Sequence, residues 1–109
     1  EVIAVGRSTA NDQDHGSGFG PKLEFLAPGV DVHLPDRNGT FRPFTGTSFA
    51  CPCATGVAAL LLSHNRYLSA HEVRQRMRSS CNQVGSAPYN NGRNDRFGYG
   101  RVNARKVLY

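Results

Sequence analysis

The chain has no tryptophan, one methionine and three cysteines among 109 residues. Lysine is scarce as well, with Lys22 and Lys106 set against eleven arginines. Long apolar runs are missing. The longest, Val57 to Leu62, falls far short of the roughly 18–20 residues needed to cross a bilayer, so no membrane span is expected. No cationic segment followed by an apolar stretch opens the chain, although Glu1 reads as a cut end, which keeps secretion open. Twelve glycines, six prolines and 39% apolar residues are an ordinary globular mixture, neither collagenous nor disordered. At this length one domain is the ceiling, and it buries roughly two thirds of its surface.

Charge is divided unevenly. Residues 1–65 carry four basic and six acidic side chains, whereas residues 66–109 carry nine basic and two acidic. Such a tract invites comparison with a nucleic-acid face. Its arginines, however, are scattered among polar loop residues with few aromatics, which favours a solvated surface, and no nucleic-acid partner is expected. Cys51, Cys53 and Cys81 cannot all pair. They lack the C-x-x-C or Cys/His spacing of zinc sites, and a disulfide from Cys81 to either of the others stays open.

Along the chain, Val2-Ile3-Ala4-Val5 is a short apolar run ending at Gly6, the pattern of a buried strand. Residues 7–22 are polar and glycine-rich and read as a loop. Strands are expected at Leu23–Ala27, Val30–Leu34 and Phe41–Phe44, with Asp36-Arg37-Asn38-Gly39 as a turn. From Ser48 to about Ser63 there is no charge at all. A helix apolar on every side must lie inside something, and little else here can surround it. Ser69 and Glu72 then form a capping box, with Leu68 and Val73 as a hydrophobic staple. Val73 and Met77 share the buried face of that helix, leaving Arg74, Arg76 and Arg78 mostly to water. Residues 82–96 read as an irregular loop, and Asn103 as the cap of a short terminal helix through Leu108.

The stretch that carries chemistry is Gly46-Thr47-Ser48-Phe49-Ala50-Cys51-Pro52. It sets a serine between a glycine turn and the first turn of the uncharged helix. Free N–H groups and the positive dipole end favour negative charge there. An oxyanion formed by attack of Ser48 on a carbonyl would meet the Ser48 N–H itself. Serine is equally a favoured helix cap, so the position alone does not decide.

The wider pattern does. The segment resembles the nucleophile motif G-T-S-x-A-x-P of the subtilisin-like serine peptidases, the subtilase family. In matching order around it lie Val2-Ile3-Ala4-Val5-Gly6, Gly20-Pro21, Ala27-Pro28-Gly29, Gly56-Val57-Ala58-Ala59-Leu60 and Tyr99-Gly100-Arg101-Val102-Asn103. The resemblance covers essentially the whole chain. It implies an α/β fold: residues 1–109 as the C-terminal part of a doubly wound parallel-sheet domain, with a buried central helix starting at the nucleophile. It implies a serine endopeptidase acting on polypeptides through an acyl-enzyme on Ser48, whose backbone N–H is also an oxyanion donor. It also implies a secreted or extracytoplasmic location.

The family's triad order is Asp, His, Ser, and its Asp, His and oxyanion Asn motifs all precede the segment matching Val2. The triad His and Asp are therefore not in this chain, and the missing N-terminal part is its first partner. His15-Gly16-Ser17, beside Asp12 and Asp14, has a superficial likeness to the family's histidine motif but lacks its second histidine; it matches a loop instead. His64 lies 16 residues beyond Ser48, roughly 24 Å along a straight helix, too far to take its proton. His33 and His71 have no supporting context.

No cofactor is expected. Calcium is common in the family, and Glu24 stands where some members place an acidic ligand, but Lys22 two residues earlier disfavours a divalent ion. Cys53 replaces the histidine that usually follows the motif proline, a buried structural residue rather than the base. A non-catalytic, subtilase-like binding or scaffold domain is the competing reading. Phe49 stands where methionine is common and lacks the oxidisable thioether. In a complete enzyme, activity titrated against peroxide should survive better with Phe49 than after Phe49→Met; equal sensitivity would refute this.

Overall fold

The computed structural model describes residues 2–14 and 16–109. Strands β1 (Ala4–Ser8) and β2 (Leu23–Pro28) pair in parallel, and β3 (Val32–Pro35) and β4 (Phe41–Phe44) form an antiparallel hairpin. Helices α1 (Thr47–His64), α2 (Ala70–Ser80) and α3 (Ala104–Leu108) follow. β2 is the centre of the molecule: Leu23, Glu24, Phe25, Leu26 and Ala27 are all buried. β1 flanks it on one side, in register from Val5 opposite Phe25 to Ser8 opposite Pro28. On the other side the segment 99–102 runs alongside. Tyr99 N–H donates to Glu24 O at 2.8 Å, Leu26 N–H to Gly100 O at 2.8 Å, and Val102 N–H to Leu26 O at 2.9 Å. Gly98 allows this approach. Its φ is +57°, and a Cβ there would collide with the Glu24 carbonyl of β2, which only glycine avoids.

The first strand differs from the sequence expectation. It runs over Ala4–Ser8 rather than Val2–Val5, and only Gly6 and Ser8 are fully buried. Val2 is 88% exposed. The residues bonded to β2 set the strand, not the apolar run, and Val2 and Ala4 are both left exposed. The hairpin turn forms as expected, with Gly39 N–H donating to Asp36 O at 3.0 Å.

Helix α1 buries one stripe, Ala50, Ala54, Val57 and Leu61, against β1, β2 and the other two helices. Its remaining faces are open: Leu60 is 49% and Leu62 38% exposed. The helix is long and apolar enough to cross a membrane, which the count of consecutive apolar residues did not register. Its buried stripe packs on strands, as a core helix does.

Helix α2 starts with the reciprocal capping box: Glu72 N–H donates to Ser69 Oγ at 3.1 Å and Ser69 N–H to Glu72 Oε2 at 2.7 Å. Here one expectation is corrected. Arg76 faces water, but Arg74 and Arg78 turn inward onto the buried Glu24 carboxylate. Arg74 Nη2 lies 2.7 Å from Oε2, and Arg78 Nε donates to Oε1. A carboxylate this buried needs paired charge, and the helix supplies it from one turn. Burial pushes the Glu24 carboxyl upward, but the hydrogen bonds and charges of Arg78 and Arg74 outweigh it and hold the group below the ordinary glutamate value of 4.5.

Because Glu24 is easier to ionise folded than unfolded, its pairing stabilises fully above about pH 4.5 and is lost as pH falls through the lowered folded value. Glu24→Gln, measured by urea denaturation at pH 7, should cost roughly 3 kcal/mol by removing the buried counter-charge that faces Arg74 and Arg78. It should also flatten the acid limb of the stability profile.

Candidate active site

β4 leads through Thr45 to Gly46, and α1 begins at the next residue. Gly46 has φ 158° and ψ 159°, a backbone region that is close to glycine-only. Its carbonyl accepts from the Phe49 and Ala50 amides at 3.1 and 3.4 Å, and its own N–H donates to Gly29 O at 2.8 Å. No side chain caps the helix. Among the described residues, the amides of Thr47 and Ser48 donate to no protein oxygen, so the helix start presents unspent donors. Ser48, the second residue of α1, is exposed there. Pro52 lies inside the helix, and its missing N–H leaves the Ser48 carbonyl without the usual donor four residues on.

One side of this turn is aromatic. The Phe49 and Phe44 rings are 5.4 Å apart at a 38° tilt. The Arg42 guanidinium lies 4.7 Å from the centre of Phe44 and is held by Asp36 at 2.9 Å. Asp31 N–H donates to Thr45 Oγ1 at 3.0 Å, tying the turn to the start of the hairpin. Sequence reasoning missed this grouping, because residues 29, 31, 42 and 44 converge on residues 46–49 only through the hairpin register.

Among the described residues, no imidazole or carboxylate hydrogen-bonds the Ser48 hydroxyl. His33, His64 and His71 are exposed, with His64 at the far end of α1. His15 lies outside the described residues. The acids beside it are engaged elsewhere: Asp12 with Arg101, and Asp14 with Arg96 at 3.5 Å. The serine turn is thus assembled, and among the described residues a general base is not.

Residues 1–100 match the subtilase family. The chain belongs to that family. It is 38% identical over 103 residues to subtilisin DY of Bacillus licheniformis, covering 94% of this chain and 35% of that protein. Over 82 residues it is 44% identical to a calcium-dependent protease of Trichormus variabilis, covering 72% of this chain and 12% of that one. The chain therefore spans about a third of subtilisin DY's length. Its fold matches part of MycP1 from Mycobacterium smegmatis, with a TM-score of 0.83 at 24% identity, covering 99% of this chain and 30% of that one, and part of a MycP1 structure with the N-terminal propeptide removed, with a TM-score of 0.82, covering 36% of that chain. The α/β architecture is accordingly a part of the subtilase domain, with parallel strands beneath the helix that carries Ser48 in its first turn.

Glu24 does not fit a calcium ligand, since Arg74 and Arg78 occupy both carboxylate oxygens and Lys22 stands beside them. Among the described residues no three His, Cys, Asp or Glu side chains gather as a metal site. The cysteines are all free, so neither open disulfide pairing is formed; Cys51 and Cys53 are exposed on α1 and Cys81 is half-buried. Burial, and the nearby Glu24 charge, push the Cys81 thiol up to about 12. At pH 8, Cys81 should resist alkylation in the folded chain and react once urea is added, by peptide mapping of iodoacetamide adducts. Native labelling as fast as in urea would contradict the burial.

Proposed function

We propose that the complete protein containing this chain is a serine endopeptidase with Ser48 as nucleophile. The observation that carries this is the exposed serine at an uncapped helix start, in a G-T-S-x-A-x-P motif, within a chain of the subtilase family. Ser48 Oγ attacks the peptide carbonyl while a histidine from the preceding part of the domain takes its proton. The Ser48 N–H, with no protein acceptor among the described residues, meets the oxyanion at the positive end of α1. The acyl-enzyme is then hydrolysed by water. Residues 1–109 form the C-terminal portion of that domain, and the preceding portion covers the open apolar faces of α1 and completes the cleft for a polypeptide substrate. We assign the enzyme to the extracytoplasmic side by family resemblance, although three free cysteines are more typical of reducing compartments.

A binding or scaffold protein is the alternative. Cys53, in place of the family's usual histidine, speaks for it. A retained exposed serine with unspent amide donors speaks against it, since a scaffold has no chemical use for either.

A fluorophosphonate probe separates the two. In the complete polypeptide it should label Ser48, and Ser48→Ala should lower peptidase activity by roughly four orders of magnitude or more. The isolated 109-residue chain should show neither labelling nor turnover, because Ser48 there has no base. Efficient turnover by the isolated chain, or an unlabelled complete protein, would overturn the reading.

A further inference from the structure

We infer that Gly29 is a positioning residue for Ser48, acting through the space its missing side chain leaves. This rests on Ser48 being the nucleophile. Gly29 follows β2 directly and joins three parts of the molecule. Its N–H donates to Ser8 O at the end of β1, at 3.2 Å, and its carbonyl accepts from Gly46 N–H at 2.8 Å. The turn that carries the serine is thereby moored to the two central strands. A Cβ on residue 29 would lie 2.6 Å from Arg7 Cβ, 2.9 Å from Gly46 O and 3.0 Å from Ala50 Cβ. None of these is the free end of a flexible side chain, so nothing can rotate aside.

Two of the three contacts bracket the nucleophile. Gly46 O holds the first turn of α1 by accepting from Phe49 and Ala50, and Ala50 lies two residues past Ser48 on the fully buried stripe. Ordinary contact begins near 3.4 Å, so an added methyl group drives Gly46 and Ala50 back by about half an ångström. Relief of the overlaps at Gly46 and Ala50 shifts the turn between them, and Ser48 Oγ and N–H shift with it. Gly29 has no left-handed backbone angle, so the requirement is one of space rather than conformation. A turn held to this tolerance keeps the serine and its oxyanion donor in fixed relation to groups arriving from the rest of the domain.

The test uses the complete polypeptide. Since a 1 Å misplacement can cost about 100-fold, Gly29→Ala should lower kcat by roughly tenfold or more with KM within about twofold, and slow fluorophosphonate labelling in step. Adding Ala50→Gly to Gly29→Ala should recover part of the loss. Gly6→Ala is the control for simple destabilisation, because its Cβ meets the side-chain ends of Leu26 at 2.5 Å and Ser17 at 3.2 Å rather than the serine turn; it should leave kcat per folded molecule unchanged. If Gly29→Ala does not fold, Ala50→Ser crowds the same contact from the other side and carries the same expectation. Parental kcat in Gly29→Ala, or a loss that merely follows stability as in Gly6→Ala, would overturn the inference. An unlabelled parent protein sinks the Ser48 reading instead. Amide exchange reads the mooring of the turn separately: faster exchange at Gly46, Phe49 and Ala50 in Gly29→Ala shows that Gly29 holds the turn whatever its serine does, and unchanged exchange refutes the inference.

Discussion

The close seating of α1 on β2 is the constraint from which the other arrangements follow. Ala27 and Ala50 are fully buried where the two elements meet, and Gly29 and Gly46 join the strand end to the helix start by a 2.8 Å hydrogen bond. Small residues let the helix axis approach the sheet, and that approach turns Phe25, Val57, Leu61 and Met77 into one core. It also explains why Ser48 is exposed while Ala50 is completely buried. The serine sits at the rim of the contact, where the chain has left β4 and the helix is only beginning. A helix that started one turn earlier would spend the amides of Thr47 and Ser48 on its own carbonyls.

The second organising force is electrostatic and runs between the two halves of the chain. The acidic first half and basic second half are not two surfaces facing different partners. Glu24 takes Arg74 and Arg78, Asp14 takes Arg96, and Asp12 pairs with Arg101. Arg93 is held by Asp95 and by the carbonyls of Gly20 and Leu23. Much of the arginine excess is therefore used in fastening α2 and the 93–101 segment to β2 and the loop before it. Arginine suits this role better than lysine, because its planar fork can serve several oxygens at once. The chain's poverty in lysine is consistent with that use.

The open faces of α1 belong to the same account. A helix with no Asp, Glu, Lys or Arg buries only four residues here. Its exposed leucines and the shallow apolar groove between Ile3, Val5, Cys51 and Ala58 are the physical counterpart of the length comparison, in which the chain spans about a third of subtilisin DY. The central helix of a domain is present with part of its surroundings.

Local chemistry made much of this legible in advance. The capping box at Ser69 and Glu72, the Asn103 cap, the turn at Asp36–Gly39 and the start of α1 each depend on residues within four positions of one another, so the amino-acid order determines them. The family motif around Ser48 is likewise a contiguous signal. What the order of residues left undetermined was every relation made across the fold. The first strand's limits follow from its bonding to β2, the inward turn of Arg74 and Arg78 from a carboxylate fifty residues away, and the Phe44–Phe49 wall from the hairpin register. The need for glycine at position 29 is of the same kind, because it arises from atoms of residues 7, 46 and 50 meeting at one point, and only tertiary packing decides which atoms those are.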